Sequence, residues 1–333
     1  MRRLSLNDLA KPQLLALACI LILNWLAFPG FFNVTWQDGR LFGSLIDVIN
    51  RGAPVAILAV GMTAIIATRG VDLSVGAVMA VSGAVAATFA VAGHSLIVTL
   101  AAALLVGIAC GLWNGALVAL LGIQPFVATL VLMVAGRGVA QLITEGSIVT
   151  FSDPALIFVG TGSLFGLPMP AVIALVLMVS AHLIMRRTAI GLFVEAIGTN
   201  LSAATYTGLR TRTVILSLYA FGGFCAGLAG VIAAADIRGA DANNAGLWLE
   251  LDAILAVVIG GTSLMGGRFS IPMSVLGAMI IQAMNTGILV SGLPPEFNLI
   301  VKASVIILIL LMQSDRIAEL VSRRFSRIRS GGK

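Results

Sequence analysis

Charge is what this chain has least of. Asp, Glu, Lys and Arg make up 10% of its 333 residues, against about 25% in an ordinary globular chain. Between Asp72 and Arg137 lie 64 consecutive residues with none of the four. A single helix of that length would run about 96 Å, whereas the hydrocarbon core of a bilayer is about 30 Å thick. The stretch must therefore fold back and cross about three times. A soluble domain is excluded, because the chain lacks the polar residues to cover such a segment.

Other absences narrow the function. There are three cysteines, Cys19, Cys110 and Cys225, each inside an apolar run. That excludes a disulfide framework and metal-site spacing. His94 and His182 stand alone, with no His, Cys or acidic residue at ligand spacing. No G-x-x-x-x-G-K-[ST] loop is present to cradle a nucleotide, and no H-E-x-x-H, so this chain binds no ATP by that route. No catalytic constellation is visible, which points to a transporter or channel rather than an enzyme. The pI near 9.9 would suit nucleic acid, but the basic residues sit in short segments between apolar runs, where membrane topology places them.

What is present is hydrophobic: 59% of residues, with 37 glycines and a mean hydropathy of +1.08. Glycine at this frequency suits closely packed membrane helices. The period is helical throughout, with none of the alternation of barrel strands. Cutting at charges and turn formers predicts one all-α polytopic domain of about ten spans. They fall at 13–30, 51–68, 73–92, 96–121, 126–144, 168–185, 213–235, 251–266, 269–290 and 298–313. With the N-terminus in the cytoplasm, the inner segments carry Arg2, Arg3, Lys11, Arg69, Arg186, Arg187, Arg210, Arg212 and Arg268. The tail adds Arg316, Arg323, Arg324, Arg327, Arg329 and Lys333, so fifteen of 20 basic residues lie inside. The outer segments are acidic, with Asp38, Asp47, Glu145, Asp153, Asp236, Asp241, Glu250 and Glu296. The positive-inside rule then puts both termini in the cytoplasm. The basic start and first apolar run resemble a signal peptide. No small-residue cleavage site closes the run, which is read as an uncleaved first span.

Polar residues near the spans are the functional candidates. Asp72 lies in GMTAIIATRGVDLSVG (61–76), where Gly70 suits a tight reversal and Asp72 or Ser74 suits a helix N-cap. A proton relay through Asp72 is the rival reading. Arg137 sits toward the outer end of its span, where its stem can snorkel, and Lys302 can do likewise. Asn114 and Asn285 are mid-helix amides, either interhelical glue or pathway ligands. The Gly-rich turns at 69–76 and 260–267, with Gly260 and Gly261, serve either close packing or irregular backbone near a pore.

The longest inner loop, 186–212, contains EAIGTNLSAATYTGL (195–209). Asn200 suits an N-cap and Gly208 a C′ residue, which predicts about two helical turns between them. Ala203 and Ala204 would keep one face small enough for a partner's groove. The helix is too short and polar to bind lipid strongly, so it is read as a docking helix rather than an interfacial one.

Three motifs in order, GMTAIIATRGVDLSVG (61–76), AIGTNLSAATYTGL (196–209) and LDAILAVVIGGTSLMGGR (251–268), resemble the membrane subunits of bacterial ABC importers in the ribose and branched-chain amino acid permease group. The resemblance covers roughly 40–312. Through DGRLFGS (38–44) and ADIRGADANNAGLWLELDAI (235–254) the chain looks closest to galactofuranose permeases. The group usually reads Thr-Gly-Gly-Ile-Asp-Leu-Ser at the second turn. Here Arg69 replaces the first glycine and Val71 the isoleucine, which leaves the cap intact and removes the residue suited to a positive φ at 69. The resemblance implies a non-catalytic permease in the bacterial inner membrane. It would bind no cofactor, with ATP and Mg held by a partner ATPase. A second permease, a heterodimer being the expectation, and a periplasmic sugar-binding protein would complete the importer. The group's coupling helix matches 198–208, so Glu195, Gly198, Asn200, Ala203, Ala204 and Gly208 are the candidate ATPase-coupling residues.

Overall fold

The computed structural model describes residues 12–37, 39–292, 297, 299–304 and 307. Helix dominates, because in hydrocarbon each backbone N–H and C=O must be satisfied within its own segment. The helices are α1 (Pro12–Ala27), α2 (Ser44–Ala67), α3 (Val75–Val91), α4 (Leu96–Ala119), α5 (Pro125–Ile143), α6 (Pro154–Thr161), α7 (Met169–Arg187), α8 (Ala189–Thr199), α9 (Leu201–Tyr206), α10 (Thr211–Ile237), α11 (Leu249–Ile259) and α12 (Ile271–Val290). Three two-stranded ribbons join them: β1 (Thr35–Gln37) with β2 (Arg40–Phe42), β3 (Val149–Thr150) with β6 (Gly239–Ala240), and β4 (Ser163–Leu164) with β5 (Leu167–Pro168). Among the described residues six helices, α2, α4, α5, α7, α10 and α12, are long and apolar enough to cross a membrane.

The centre is α10, which packs against α2, α3 and α4. Its 27 residues extend about 40 Å. Small residues let these backbones approach. A Cβ on Gly111 would collide with the Tyr219 carbonyl, one on Gly223 with the Gly107 carbonyl, and one on Gly230 with the Met79 carbonyl. The best membrane-crossing window of α2 is 78% buried, whereas those of α4, α5 and α7 are 22% buried. Hydropathy alone does not separate these groups. The central helices bury their apolar residues in protein, and the peripheral ones present Leu105, Val131, Val134, Leu175 and Val176 outward.

The connecting segments separate onto two ends. At one, Leu41 donates its N–H to the Gly166 carbonyl (3.1 Å), joining the β1–β2 and β4–β5 ribbons, and Gly160 of α6 lies against Ala235 and Asp236 of α10. At the other, basic end, the turn after α2 meets the end of α8.

Most expected spans correspond to a helix within a few residues, but two differ. The span expected at 251–266 is helical only over Leu249–Ile259, 11 residues, or about 16 Å, half of a bilayer core. The span expected at 51–68 is a helix of 24 residues, Ser44–Ala67, which starts seven residues earlier than expected. The span expected at 298–313 lies mostly outside the described residues, although 299–304 are helical. Two helices, α6 and α8, fall where none was expected. Contacts group the chain into a unit of 1–283 and one of 284–333, the latter taking in the end of α12 and the helical residues 299–304.

Ahead of α11 the chain does something a hydropathy cut does not reveal. Ala240 of β6 packs with Ala84, Ala86 and Ala87 of α3. Ala242 packs with Ala80 and Val81, and a Cβ on Gly76 would collide with the Gly246 carbonyl. Residues 239–246 therefore run back down beside α3 as non-helical chain. From the level of Ala87 to that of Gly76 they descend about 16 Å.

Candidate functional site

The loop at the basic end is built by local capping. Thr188 caps α8, its Oγ1 accepting the Ile190 N–H at 3.3 Å. Asn200 breaks the helix and caps the next, its Oδ1 accepting the Ala203 N–H at 3.0 Å. Helix α9 closes at Gly208, φ 84°, where Gly208 N–H bonds Thr205 O (3.0 Å) and Leu209 N–H bonds Ala204 O (3.3 Å). This is the two-bond glycine termination in which the left-handed residue satisfies the last carbonyls. Asn200 and Gly208 thus hold the positions their chemistry suggests. The segment 195–209 is nevertheless two pieces rather than one helix, and Glu195 belongs to α8.

Glu195, Asn200, Ala203 and Gly208 are exposed, whereas Gly198 and Ala204 are buried. Ala203 and Ala204 therefore do not share an outward face, contrary to expectation, because successive helical residues point about 100° apart. The outward surface is instead Leu192, Leu201 and Tyr206, the last 91% exposed.

Gly198 proves to be part of an internal junction rather than a docking surface. A Cβ there would run into the Ala67 carbonyl at the end of α2 and the Gly267 N–H of the turn after α11. Gly267 N–H itself bonds the Ala67 carbonyl at 2.9 Å. Arg69 completes the junction, its Nε donating to Gly198 O and its Nη2 to Thr199 O, both at 2.6 Å. Arg69 holds φ 65°, so the loss of the glycine does not change the backbone geometry there. A left-handed non-glycine residue costs about 1–2 kcal/mol, and each charge-assisted bond returns about 1.5–3 kcal/mol, which is why arginine can stand at this position. The last carbonyls of α8, otherwise unpaired, receive those bonds. Gly261, φ 84°, closes α11 in the same way as Gly208 closes α9, while a Cβ on Gly260 would press on Ser274 N at 2.6 Å, which is close packing.

One turn further along, Asp72 is 1% exposed. Its Oδ1 accepts from the Ser74 N–H (2.9 Å), the Ser74 Oγ (2.6 Å) and Asn114 Nδ2 (3.4 Å). Burial pushes this carboxyl above its ordinary range, and the Ser74 and Asn114 bonds pull it back. Asp72 is the residue that caps; Ser74 makes no capping bond with its own side chain and accepts from Asn114 Nδ2 at 2.8 Å instead. Thr129 of α5 accepts the Leu73 N–H at 3.1 Å, and the Tyr219 hydroxyl of α10 donates to Val71 O at 3.3 Å. A Cβ on Gly70 would meet that hydroxyl at 2.8 Å. The turn 70–74 is therefore locked to α4, α5 and α10 together. Asn114 is fully buried within this lock and borders no open space. Asn285, in the other unit, has a buried side-chain oxygen without a partner among the described residues, as does Asn114.

Arg137 does not snorkel. Its Nη1 donates to Ala242 O (2.9 Å) and Ala245 O (2.6 Å), the carbonyls of the descending segment. Asp241 accepts the N–H groups of Asn243 (3.0 Å) and Asn244 (3.2 Å), and Gln141 Nε2 donates to Asn243 Oδ1 at 2.8 Å. Of this region only Arg137 was a candidate, read as a snorkelling residue; Gln141, Asn243 and Asn244 were not singled out. The region's signal is the Asn-, Gly- and Asp-rich string at 238–246 facing a lone arginine inside a predicted span. Among the described residues, no group of three or more His, Cys, Asp or Glu is placed to hold a metal.

Residues 44–310 match the family of permease components of branched-chain amino acid transport systems. The chain is 60% identical to the galactofuranose transporter permease of Escherichia coli (strain K12), over 95% of this chain and 93% of that one. It is 41% identical to the fructose import permease of Bifidobacterium longum (strain NCC 2705), over 87% and 83%. It is also 36% identical to the ribose import permease of E. coli (strain K12), over 92% and 94%. No solved structure matches the chain. With the family match covering most of this multi-pass helical chain, and the relatives covered over 83% to 94% of their own length, this chain belongs to the branched-chain amino acid transport system permease component family.

Proposed function

We infer that this chain is the membrane-spanning permease subunit of an ATP-driven importer in the bacterial inner membrane, carrying a monosaccharide, with galactofuranose the preferred cargo. The observation that carries this reading is the 60% identity to a galactofuranose transporter permease along 95% of the chain. ATP and Mg belong to a partner ATPase, sugar arrives from a periplasmic binding protein, and a second, related permease completes the pathway as a heterodimer. The chain crosses ten times with both termini in the cytoplasm. The eighth crossing joins the turn-rich segment 239–248 to α11, which together supply the length that α11 lacks.

Coupling runs through the basic end. Closure of the ATPases presses on α9 through Ala203 and its exposed neighbours. The push reaches Thr199 and Gly198, whose carbonyls are held by Arg69, and passes to the turn 70–74 and its three attached helices. Such a relay is a set of packed, hydrogen-bonded elements biased between two arrangements. Glu195 on α8 lies beside this contact.

The test is reconstitution of both permeases with the ATPase and binding protein in vesicles. Ala203→Trp should leave insertion and permease pairing intact while abolishing ATPase co-purification and binding-protein-stimulated hydrolysis. Wild-type values for both would overturn the coupling assignment. For topology, a cysteine at Thr199 should react with an impermeant thiol reagent only once the inner membrane is opened.

A further inference from the structure

The descending segment places polar side chains where lipid would not tolerate them. Non-helical backbone at membrane depth is confined to places where it is buried in protein or lines a water-filled cavity. Here one face is buried: Ala242 and Gly246 pack on α3, and Arg137 takes up the carbonyls of Ala242 and Ala245. The other face is open. Asn243, Asn244, Leu247 and Trp248 are exposed, Trp248 at 57%. Gln141 of α5 borders them through its bond to Asn243.

The groups on that face suit one ligand chemistry. Asn243 Oδ1 is taken by Gln141, and Asn244 Nδ2 by Asp241 at 2.8 Å. The Asn243 amide nitrogen, the Asn244 amide oxygen and the Gln141 amide oxygen have no protein partner among the described residues. They offer two donor hydrogens and two acceptors within one short stretch. Trp248 adds a broad apolar face beside them. Its backbone holds φ 66°, a conformation costly for a bulky residue and maintained only where the surroundings impose it. Leu249 N–H to Gly246 O (3.2 Å) and Asp252 N–H to Trp248 O (3.3 Å) impose it here. A neutral polyhydroxylated ring has matching parts: hydroxyls that both donate and accept, and C–H faces that lie flat on an aromatic ring.

We propose that Gln141, Asn243, Asn244 and Trp248 form a monosaccharide subsite on the water-filled face of the descending segment, with Trp248 as the stacking platform. The assignment rests on the importer reading above and adds to it the place on this chain where the sugar is touched. Exposure on this open face suits a transient contact, which holds a sugar in passage without trapping it.

The test uses the complete importer in vesicles, with Cys19, Cys110 and Cys225 replaced. Asn243→Cys and Asn244→Cys should react with a charged methanethiosulfonate many times faster than Leu105→Cys, whose parent side chain is 63% exposed on the outer face of α4. Uptake is measured with radiolabelled D-galactose, D-fructose and D-ribose, and the sugar that the wild-type importer moves fastest is used for the variants. Trp248→Ala should lower uptake about tenfold, the loss of one aromatic contact, while binding-protein-stimulated ATP hydrolysis persists. Trp248→Phe should stay close to wild type. Labelling no faster than at Leu105→Cys, or unchanged uptake in Trp248→Ala, would overturn the subsite and leave the importer intact. A wild-type complex that moves none of the three sugars and whose ATP hydrolysis the binding protein does not stimulate would overturn the importer reading itself.

Discussion

Arg69 and Arg137 are attached to very different parts of the molecule and are used in the same way. Each lies in or beside a helix that the sequence marks as apolar, and each donates to two backbone carbonyls that regular structure leaves free. At Arg69 the carbonyls close a helix, and the guanidinium is partly exposed at the basic end. At Arg137 they belong to the turn-rich chain that runs beside α3. Water can replace Arg69 if it is lost, whereas at Arg137 it is kept out of one face by packing. Arg69 also carries left-handed strain that a glycine would not. The same chemistry is therefore an accessory at one end and a requirement at the other.

The sharpest way to break the comparison is at Gly198, which belongs to the Arg69 junction but has no side chain to swing aside. Gly198→Ala drives a Cβ into two backbone atoms and should cost about 1–3 kcal/mol or more, read as a lower melting temperature of the purified complex and loss of uptake. Next is Arg137→Met, which leaves two carbonyls without donors at about 1–3 kcal/mol each. Melting temperature should fall, and cysteines placed at 243 and 244 should change their labelling rate, with Arg137→Lys intermediate. Arg69→Gly should cost less than Arg137→Met, because it relieves about 1–2 kcal/mol of strain and opens carbonyls to solvent. Equal losses in the two variants would dissolve the distinction. The smallest effect belongs to Asp72→Asn. Its Oδ1 accepts the same Ser74 bonds, so uptake should persist; complete loss at normal membrane levels would instead support a proton relay. Burial raises the folded-state pKa of Asp72, so folding favours the proton. Wild-type stability should therefore decline as pH rises above about 4, the unfolded value. The Asn variant should lack that decline.

The comparison also separates what the sequence makes legible from what it does not. Turn formers at the span ends, with the Arg186–Arg187 pair for α7, located α4, α5 and α7 within a few residues, because hydropathy and the bilayer impose the same limits. Asn200 and Gly208 were legible because capping is a contact within four residues. Helix α11 was not, since the run from Ala253 to Gly267 stays uncharged through the very turn that ends the helix. Helix α8 was hidden behind Arg186 and Arg187, which read as the start of a loop. The pairing of Arg69 with Gly198, 129 residues away, and of Arg137 with Ala242, 105 away, leaves no local trace. Their partners are carbonyls, which every residue has. For the same reason Gly198 looked like a small residue on a docking face, although its smallness serves α2 and the turn after α11.

Because both arginines grip main-chain oxygen, no substitution at Thr199, Ala242 or Ala245 deletes the acceptor. Mutational vulnerability is thus one-sided, concentrated on the donor and spread thinly over everything it holds. The amide-bearing positions 243 and 244 can then change identity while the scaffold beneath them keeps its course. A fixed clamp under exchangeable side chains is a plain material basis for neighbouring permeases to diverge in the sugars they pass without redesigning the membrane protein around them.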